Sequence, residues 1–323
     1  MSSRVPAVVA FGGGHGLSVT LEALLNVTPD VTGIVGVIDD GGSSGRLRSQ
    51  LSIVPPGDLR MALAAMIPRD GDSAIWRSVL QQRFDATENF IGHPVGNVLM
   101  AALWGQTNDV LLGLQTLATA TGARGRVLPA ALEPVDLLAL METEAGDEPQ
   151  WIRGQATISS TRGKITELAL DPAQPTPCVD VVTAIDRSAA VVFGPGSWFT
   201  SVMPHLLLPH VYAAVSRSSA PRILVLNLGG EAGETEDFAP ATHLNSWAQF
   251  FPEVSLDYVI ADQRHLGDVG VLRRACGRLG AELHVAEVSS ADTHDIQRLG
   301  VALDALIRTA DRPDEASTSR VQG

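Results

Sequence analysis

Unbroken apolar runs and runs with helical spacing alternate along this chain, and their order predicts its architecture. Ala7 to Phe11 is a short apolar run ending in Gly12-Gly13-Gly14-His15-Gly16, after which Leu17, Leu21, Leu24 and Leu25 recur at helical spacing. Val31 to Ile38 is a second apolar run that stops at Asp39-Asp40. The start of the chain therefore predicts strand, glycine turn, helix and strand, a βαβ unit of a parallel sheet with both loops at one edge. Pro55-Pro56-Gly57-Asp58 has the turn residues and acidic first turn that open a helix, with Arg60 in that turn. Helical spacing returns in Ser73 to Phe84, in Val98 to Trp104 after Gly92-His93-Pro94-Val95-Gly96-Asn97, and in Asp109 to Thr121.

Between Val127 and Leu170 the pattern changes to alternating and β-branched segments. Ala156 to Ser160 and Lys164 to Leu168 flank Thr161-Arg162-Gly163 and predict a hairpin within a small antiparallel insertion. A second α/β run follows. Strands are expected at Ala189 to Phe193, Ile223 to Leu226, Leu256 to Ala261 and Leu283 to Val288, with helices at Phe199 to Leu207, His243 to Phe250, Val269 to Leu279 and Ile296 to Thr309. The fold class is α/β, a Rossmann-like and mostly parallel sheet flanked by helices. Residues 1–310 read as one domain with a β-rich insertion at about 127–170, and the polar tail 311–323 reads as disordered.

Composition narrows the function. With 23 basic and 36 acidic residues in 323, the net charge of −13 argues against a surface that binds nucleic acid or anionic membrane by electrostatics. Any anion must be held at a local site. Two distant cysteines, Cys178 and Cys276, support neither a disulfide framework nor a cysteine-based zinc site. The N-terminus lacks a signal-peptide pattern, and prolines and histidines interrupt the apolar run from Met203 to Val215. A cytoplasmic protein without membrane insertion is the expectation.

Asp39-Asp40-Gly41-Gly42-Ser43-Ser44-Gly45-Arg46 has the composition of a phosphate cradle: glycines let backbone N–H groups converge, while Ser43, Ser44 and Arg46 add donors. One of Asp39 and Asp40 is expected to cap a turn. The other is a candidate for a ribose diol or a magnesium ion shared with ligand phosphates, and residue type does not separate them. Gly12, Gly13, Gly14 and Gly16 open a helix whose N-terminus favours a phosphate, although Leu17 stands where the strict dinucleotide fingerprint needs glycine. His15 projects from that turn and either donates to phosphate or packs on a neighbouring loop. Asp58, Arg60, His93 and Asn97 are further polar candidates, and Gly194, Gly196, Ser197, Asn227 and Glu234 come from loops of the second half. These loops belong at the carboxyl ends of parallel strands, where open α/β sheets bind ligands. No nucleophile elbow, zinc-protease motif or histidine metal spacing occurs, so no catalytic residue is assigned.

Several of these segments carry a resemblance. GGGHGLS, DDGGSSGRLR, PPGDLRMAL, GHPVGN, GPGSWFTSVMPHLL and GETEDF, taken in order from Gly12 to Phe238, are similar to the YvcK-like branch of the CofD-like superfamily, the gluconeogenesis factors, and His15 resembles the actinobacterial members. The resemblance implies a cytoplasmic, Rossmann-like protein that binds UDP-sugars, UDP-N-acetylglucosamine foremost. It is linked to gluconeogenic growth, cell shape and peptidoglycan precursor supply, with unidentified regulatory protein partners and, by analogy, a homodimer. The sister CofD branch implies the alternative, a magnesium-dependent transferase moving a phospholactyl-type group from a guanosine diphosphate carrier to a deazaflavin. The low aromatic content, 5%, favours the regulator over an enzyme that stacks a deazaflavin. NAD(P) would suit the same sheet edge, but a dehydrogenase would want the strict fingerprint and a hydride-transfer acid.

Overall fold

The computed structural model describes residues 5–85, 92–143, 148–230 and 234–310. Gly233 and the tail 311–323 lie outside these residues. Val8–Gly12 (β1) leads through Gly14–Leu25 (α1) to Val31–Val35 (β2). Four helices come next: Gly42–Leu51 (α2), Pro56–Met66 (α3), Ala74–Gln81 (α4) and Val95–Thr107 (α5). Val110–Thr121 (α6) then leads to Arg126–Pro129 (β3). Asp136–Thr143 (β4), Gln150–Arg153 (β5), Gln155–Ser160 (α7) and Gly163–Asp171 (β6) form the insertion. Val179–Arg187 (α8) returns the chain to Ala190–Phe193 (β7). A π-helical turn, Trp198–Val202, and a 3-10 turn, Met203–Leu207, precede Pro209–Arg217 (α9) and Arg222–Val225 (β8). Pro240–Phe250 (α10), Tyr258–Asp262 (β9), Val269–Arg278 (α11) and Glu282–Ala286 (β10) continue the alternation. A short antiparallel pair, Ser289–Ser290 (β11) and Thr293–His294 (β12), leads to Ile296–Ala310 (α12).

The main sheet has seven parallel strands in the order β10-β9-β8-β7-β1-β2-β3. β1, β2 and β7 are buried along their whole length, which explains why they read as continuous apolar runs. The order reverses between β1 and β7. Right-handed crossovers therefore carry α1 to one face and α9 to the other, leaving a crevice at the carboxyl ends of these two strands. Below it Phe11 and Phe193 stack at 5.0 Å between centroids, and Trp247 meets Phe193 edge-on at 5.2 Å. Among the described residues no helix is long and apolar enough to cross a membrane.

Four local expectations are corrected. Arg126–Pro129 joins the parallel sheet beside β2, so the antiparallel strands begin at Asp136 instead of near Val127. The hairpin expected on either side of Thr161-Arg162-Gly163 does not form. Gln155–Ser160 is helical, and β6 pairs with β4, whose other edge takes β5. The cause is tertiary: Asp40 Oδ1 accepts the Ala156 N–H at 2.8 Å and starts the helix from outside the segment. Phe199 to Leu207 is a π turn followed by a 3-10 turn, because Pro204 has no N–H for an α-helical ladder. Gly42 to Arg46 is not an open loop but the start of α2.

Crevice geometry depends on Gly16, where a β-carbon would overlap the Pro195 carbonyl oxygen. Gly16→Ala is expected to lower stability by about 1–3 kcal/mol in urea denaturation, the usual cost of overpacking. Gly105, in α5 with open space around it, is the control: Gly105→Ala should raise stability by roughly 0.5–1 kcal/mol.

Candidate functional site

Each wall of the crevice is fixed by groups beneath it. The His205 Nε2–H donates to the Gly12 carbonyl at 3.1 Å, and burial pushes this histidine down to about 4, so the ring is neutral. On the opposite wall Thr20 Oγ1 donates to the Gly194 carbonyl at 2.9 Å. Asn227 clasps Gly196 on both sides, accepting its N–H and donating to its carbonyl, each at 2.9 Å. Glu234 accepts the Phe199 N–H at 3.0 Å and the Thr200 hydroxyl, which caps the π turn. Asn227 and Glu234 thus hold the loops that carry the site.

The acid-rich segment divides in two. Asp39 Oδ1 accepts the Gly41 N–H at 3.0 Å in an Asx turn, while Asp40 ties down the insertion through Ala156. Ser43 Oγ lies 2.8 Å from His93 Nδ1 and accepts from Asn97 Nδ2 at 2.9 Å; Asn97 Oδ1 accepts from Arg60 Nε at 2.9 Å. Arg60 and Asn97 are 5% and 1% exposed, so this chain is an internal brace between α2, α3 and α5. Ser44 Oγ accepts the Gly57 N–H at 3.0 Å and joins α2 to the start of α3. Gly45 packs under the Asp40 carbonyl, and Gly42 is exposed. Arg46 is exposed beside Gly92, where its charge adds to burial in holding His93 below its ordinary value.

Asp58 comes forward instead. It lies in the first turn of α3, its carboxylate accepts the Gly14 N–H, and a β-carbon on Gly13 would overlap it. Burial and then the nearby Asp39 charge raise it to about 7, against the opposing pull of the Gly14 N–H and Arg60. Burial first and then Arg83 lower the Arg60 guanidinium to about 10, which leaves it charged at neutral pH.

Gly13 to Gly16, Asp39, Asp58, Gly196 and Ser197 line one cavity of about 370 Å³, with Gln155, Thr200 and Ser201. A second cavity of about 470 Å³ continues past His15, Gly16 and Gly196 toward Asn227 and reaches His265 and His294. Of the candidate residues, Asp40, Gly42, Ser43, Ser44, Gly45, Arg46, Arg60, His93, Asn97 and Glu234 line neither. Gly12 and Gly194 frame the walls from the strand ends. Sequence reasoning missed Gln155, which arrives with the insertion and leaves no local signal. Thr200 and Ser201 lay inside the GPGSWFTS segment, and His265 follows a strand-ending Asp262, a signal that was available.

Among the described residues no group of three or more His, Cys, Asp or Glu is arranged for a metal. Asp39 and Asp58 line the same cavity, where the Asp39 charge adds to burial in raising Asp58. Two carboxylates fit a magnesium ion that takes its remaining oxygens from ligand phosphates and water.

An open parallel sheet that turns about its first strand, with two glycine turns meeting over the reversal, defines a doubly wound α/β protein. Residues 8–303 match the family of the 2-phospho-L-lactate transferase CofD. A candidate gluconeogenesis factor of Mycobacterium tuberculosis H37Rv is 41% identical, covering 97% of this chain and 95% of its own length. The gluconeogenesis factor of Bacillus subtilis is 34% identical over 81% of this chain and 80% of its own. A crystal structure of a UPF0052-family protein from Bacillus halodurans superposes with a TM-score of 0.84 at 29% identity, covering 94% of this chain and 99% of that one. The chain belongs to the CofD-like superfamily, in its YvcK-like gluconeogenesis-factor branch.

Two outcomes are expected from the buried polar groups. Asp58 binds its proton more tightly folded than unfolded, so its contribution is complete below about pH 4 and is lost as pH rises toward about 7. Urea titrations from pH 4 to 8 should show a smaller decline for Asp58→Asn than for the parent chain. Asn97→Ala removes the acceptor of a buried guanidinium and should cost roughly 2–4 kcal/mol by the same measurement.

Proposed function

We propose that the crevice binds a nucleotide sugar, a UDP-sugar such as UDP-N-acetylglucosamine, and that the protein acts through that binding as a regulatory factor. The observation that carries the reading is the pair of cavities set end to end across the two glycine turns. At their junction α1 begins on Gly13, which makes no side-chain cap; Asp58 takes the Gly14 N–H, and the helix dipole with the N–H groups of His15 and Gly16 is left for the space where a diphosphate would lie. Ser197 and Ser201 supply hydroxyls from the other wall, that of Thr200 being given to Glu234. The two ends are then available to a nucleoside and a sugar. Asp39 and Asp58 would hold a magnesium ion against the phosphates, where it would neutralise their charge.

The relatives named gluconeogenesis factors support a role for this chain in growth on gluconeogenic carbon, with cell shape and peptidoglycan precursor supply as the processes a UDP-sugar signal would serve. Regulatory protein partners, a homodimer and a cytoplasmic location belong to the same reading. Neither cavity is lined by a cysteine or a lysine, and neither has an aromatic carbocycle to stack a deazaflavin.

One observation favours a second reading, a magnesium-dependent transferase. An acid held near neutral pH beside a phosphate-binding turn can position or deprotonate an acceptor, and Phe199 and Phe238 flank a separate cavity of about 740 Å³ against the insertion.

Thermal unfolding in a panel of UDP-N-acetylglucosamine, GDP, NAD(P) and deazaflavin, with and without magnesium, separates the readings. A UDP-sugar at 100 times its Kd should stabilise the fold by about 2.7 kcal/mol. Asp58→Asn should abolish the magnesium dependence of that shift. Absence of any UDP-sugar shift, together with magnesium-dependent turnover of a guanosine diphospho donor and deazaflavin, overturns the regulator.

A further inference from the structure

The insertion sheet, in the order β5-β4-β6, has one face in the core and one outside it. Leu137, Ala139, Met141, Ile165 and Leu168 point inward and join the hydrophobic core. The residues alternating with them point the other way. Register sets Trp151, Leu140 and Glu167 in one row of that outer face and Arg153, Leu138 and Ala169 in the next, with Asp136 beside Asp171 at its end. Leu138, Leu140 and Ala169 are half-buried without belonging to the core, and Trp151 is 49% exposed. Among the described residues this row is an apolar patch left off the core. Its two edges are unlike. β5 carries the large ring of Trp151 and the exposed guanidinium of Arg153, while β6 carries the small Ala169 between the exposed acids Glu167 and Asp171.

A face that is large and basic along one edge, small and acidic along the other, is complementary to itself when turned over. A two-fold axis parallel to β4 lays β5 of a second copy over β6 of the first, and the reverse. Trp151 of each copy then covers Ala169, and Arg153 comes between Glu167 and Asp171. The other two-fold axis in the plane, across the strands, would lay β6 on β6 and set acid against acid, which repulsion opposes. We propose that the outer face of the insertion is where two copies of this chain associate, β5 of one against β6 of the other. It is the surface of the homodimer, and it is independent of what the crevice binds. Strands of four, eight and nine residues present a face of roughly 300–400 Å² per copy. A standard stable interface covers about 800 Å² per partner, so this association is weak and concentration-dependent.

Analytical ultracentrifugation of the full chain from about 5 to about 500 µM, the range that an interface of this size calls for, tests the assignment. The parent chain should pass from monomer toward dimer as concentration rises. Trp151→Glu, which sets a charge in the middle of the apolar patch, should raise the dimer Kd at least ~10-fold. Glu167→Arg and Arg153→Glu should each weaken the dimer as well, since each makes the facing edges alike in charge. Mixed in equal amounts, these two variants again set acid opposite base along both edges, and their heterodimer should form with a Kd within roughly threefold of the parent value. A structural fault in either variant would not be repaired by mixing. Melting curves report the folding of each variant, and Trp151→Glu with Glu167→Arg decides the matter if Arg153→Glu, which also loses its pairs with Asp136 and Asp171, is unstable. A parent chain that stays monomeric throughout overturns the proposal and leaves the ligand reading standing. So does a dimer that folded Trp151→Glu keeps at parent strength, since another surface would then join the copies, or a mixture of the two folded charge variants that fails to associate.

Discussion

The backbone of Gly16 rests against the carbonyl of Pro195, and this contact brings the turn after β1 to the turn after β7 with nothing between them. No side chain can stand at position 16 without separating the two loops. Their closeness turns a reversal of strand order into a crevice with polar walls. Other polar groups maintain the same contact. His205 holds the Gly12 carbonyl from below, Thr20 crosses from α1 to Gly194, and Asn227 grips Gly196 from the end of β8. A buried neutral imidazole is tolerable because one nitrogen is bonded and burial keeps the ring uncharged, although Nδ1 has no partner.

Charge in this acidic chain is organised around the crevice by burial. Asp58 and Asp39 crowd together on the cavity side. Arg60 lies inside α3, α2 and α5 and answers them from behind, with its Nε bonded to Asn97. An ion buried in this way must be bonded throughout or the fold loses more than the pair contributes, which is why Ser43, His93, Asn97 and Arg60 form one chain. The residues that resemble a phosphate cradle in composition therefore do two jobs. Asp39 faces the ligand space, while the serines after it hold three helix starts in register.

The insertion adds to the site as well as to the surface. Asp40 starts α7, and Gln155 at the beginning of that helix lines the cavity beside Asp39 and Asp58. The ion pair between Arg48 and Asp136 further ties the insertion to α2, while Arg153 pairs with Asp136 and Asp171 within the insertion. A ligand reaching the acid pair would thus touch both the parallel sheet and the added strands.

The order of apolar runs was enough to read the strands β1, β2, β7, β8 and β9 and the glycine turns that follow two of them, because a strand buried on both faces must be apolar throughout; the edge strand β10 was read as well, although it is partly exposed. The same patterning placed Asp58 at a helix start and Gly194 to Ser197 at a strand end. It misread Gln155–Ser160, where a carboxylate from a distant segment overrode β-branched residues, and it took Gly42 to Arg46 for a loop. Arg46 and the Ser43–His93–Asn97–Arg60 group looked like ligand donors since hydroxyls, amides and guanidinium groups bond protein and phosphate equally well. Their direction depends on how three helices meet. The sequence by itself determined the α/β class, the parallel strands and the glycines over the reversal, all consequences of local periodicity and of backbone that no side chain may crowd. Tertiary structure alone decided which polar residues face the ligand, which brace the interior, and that Asp58 and His265 line the cavities, because burial and partner contacts arise only when segments far apart in the chain are packed together.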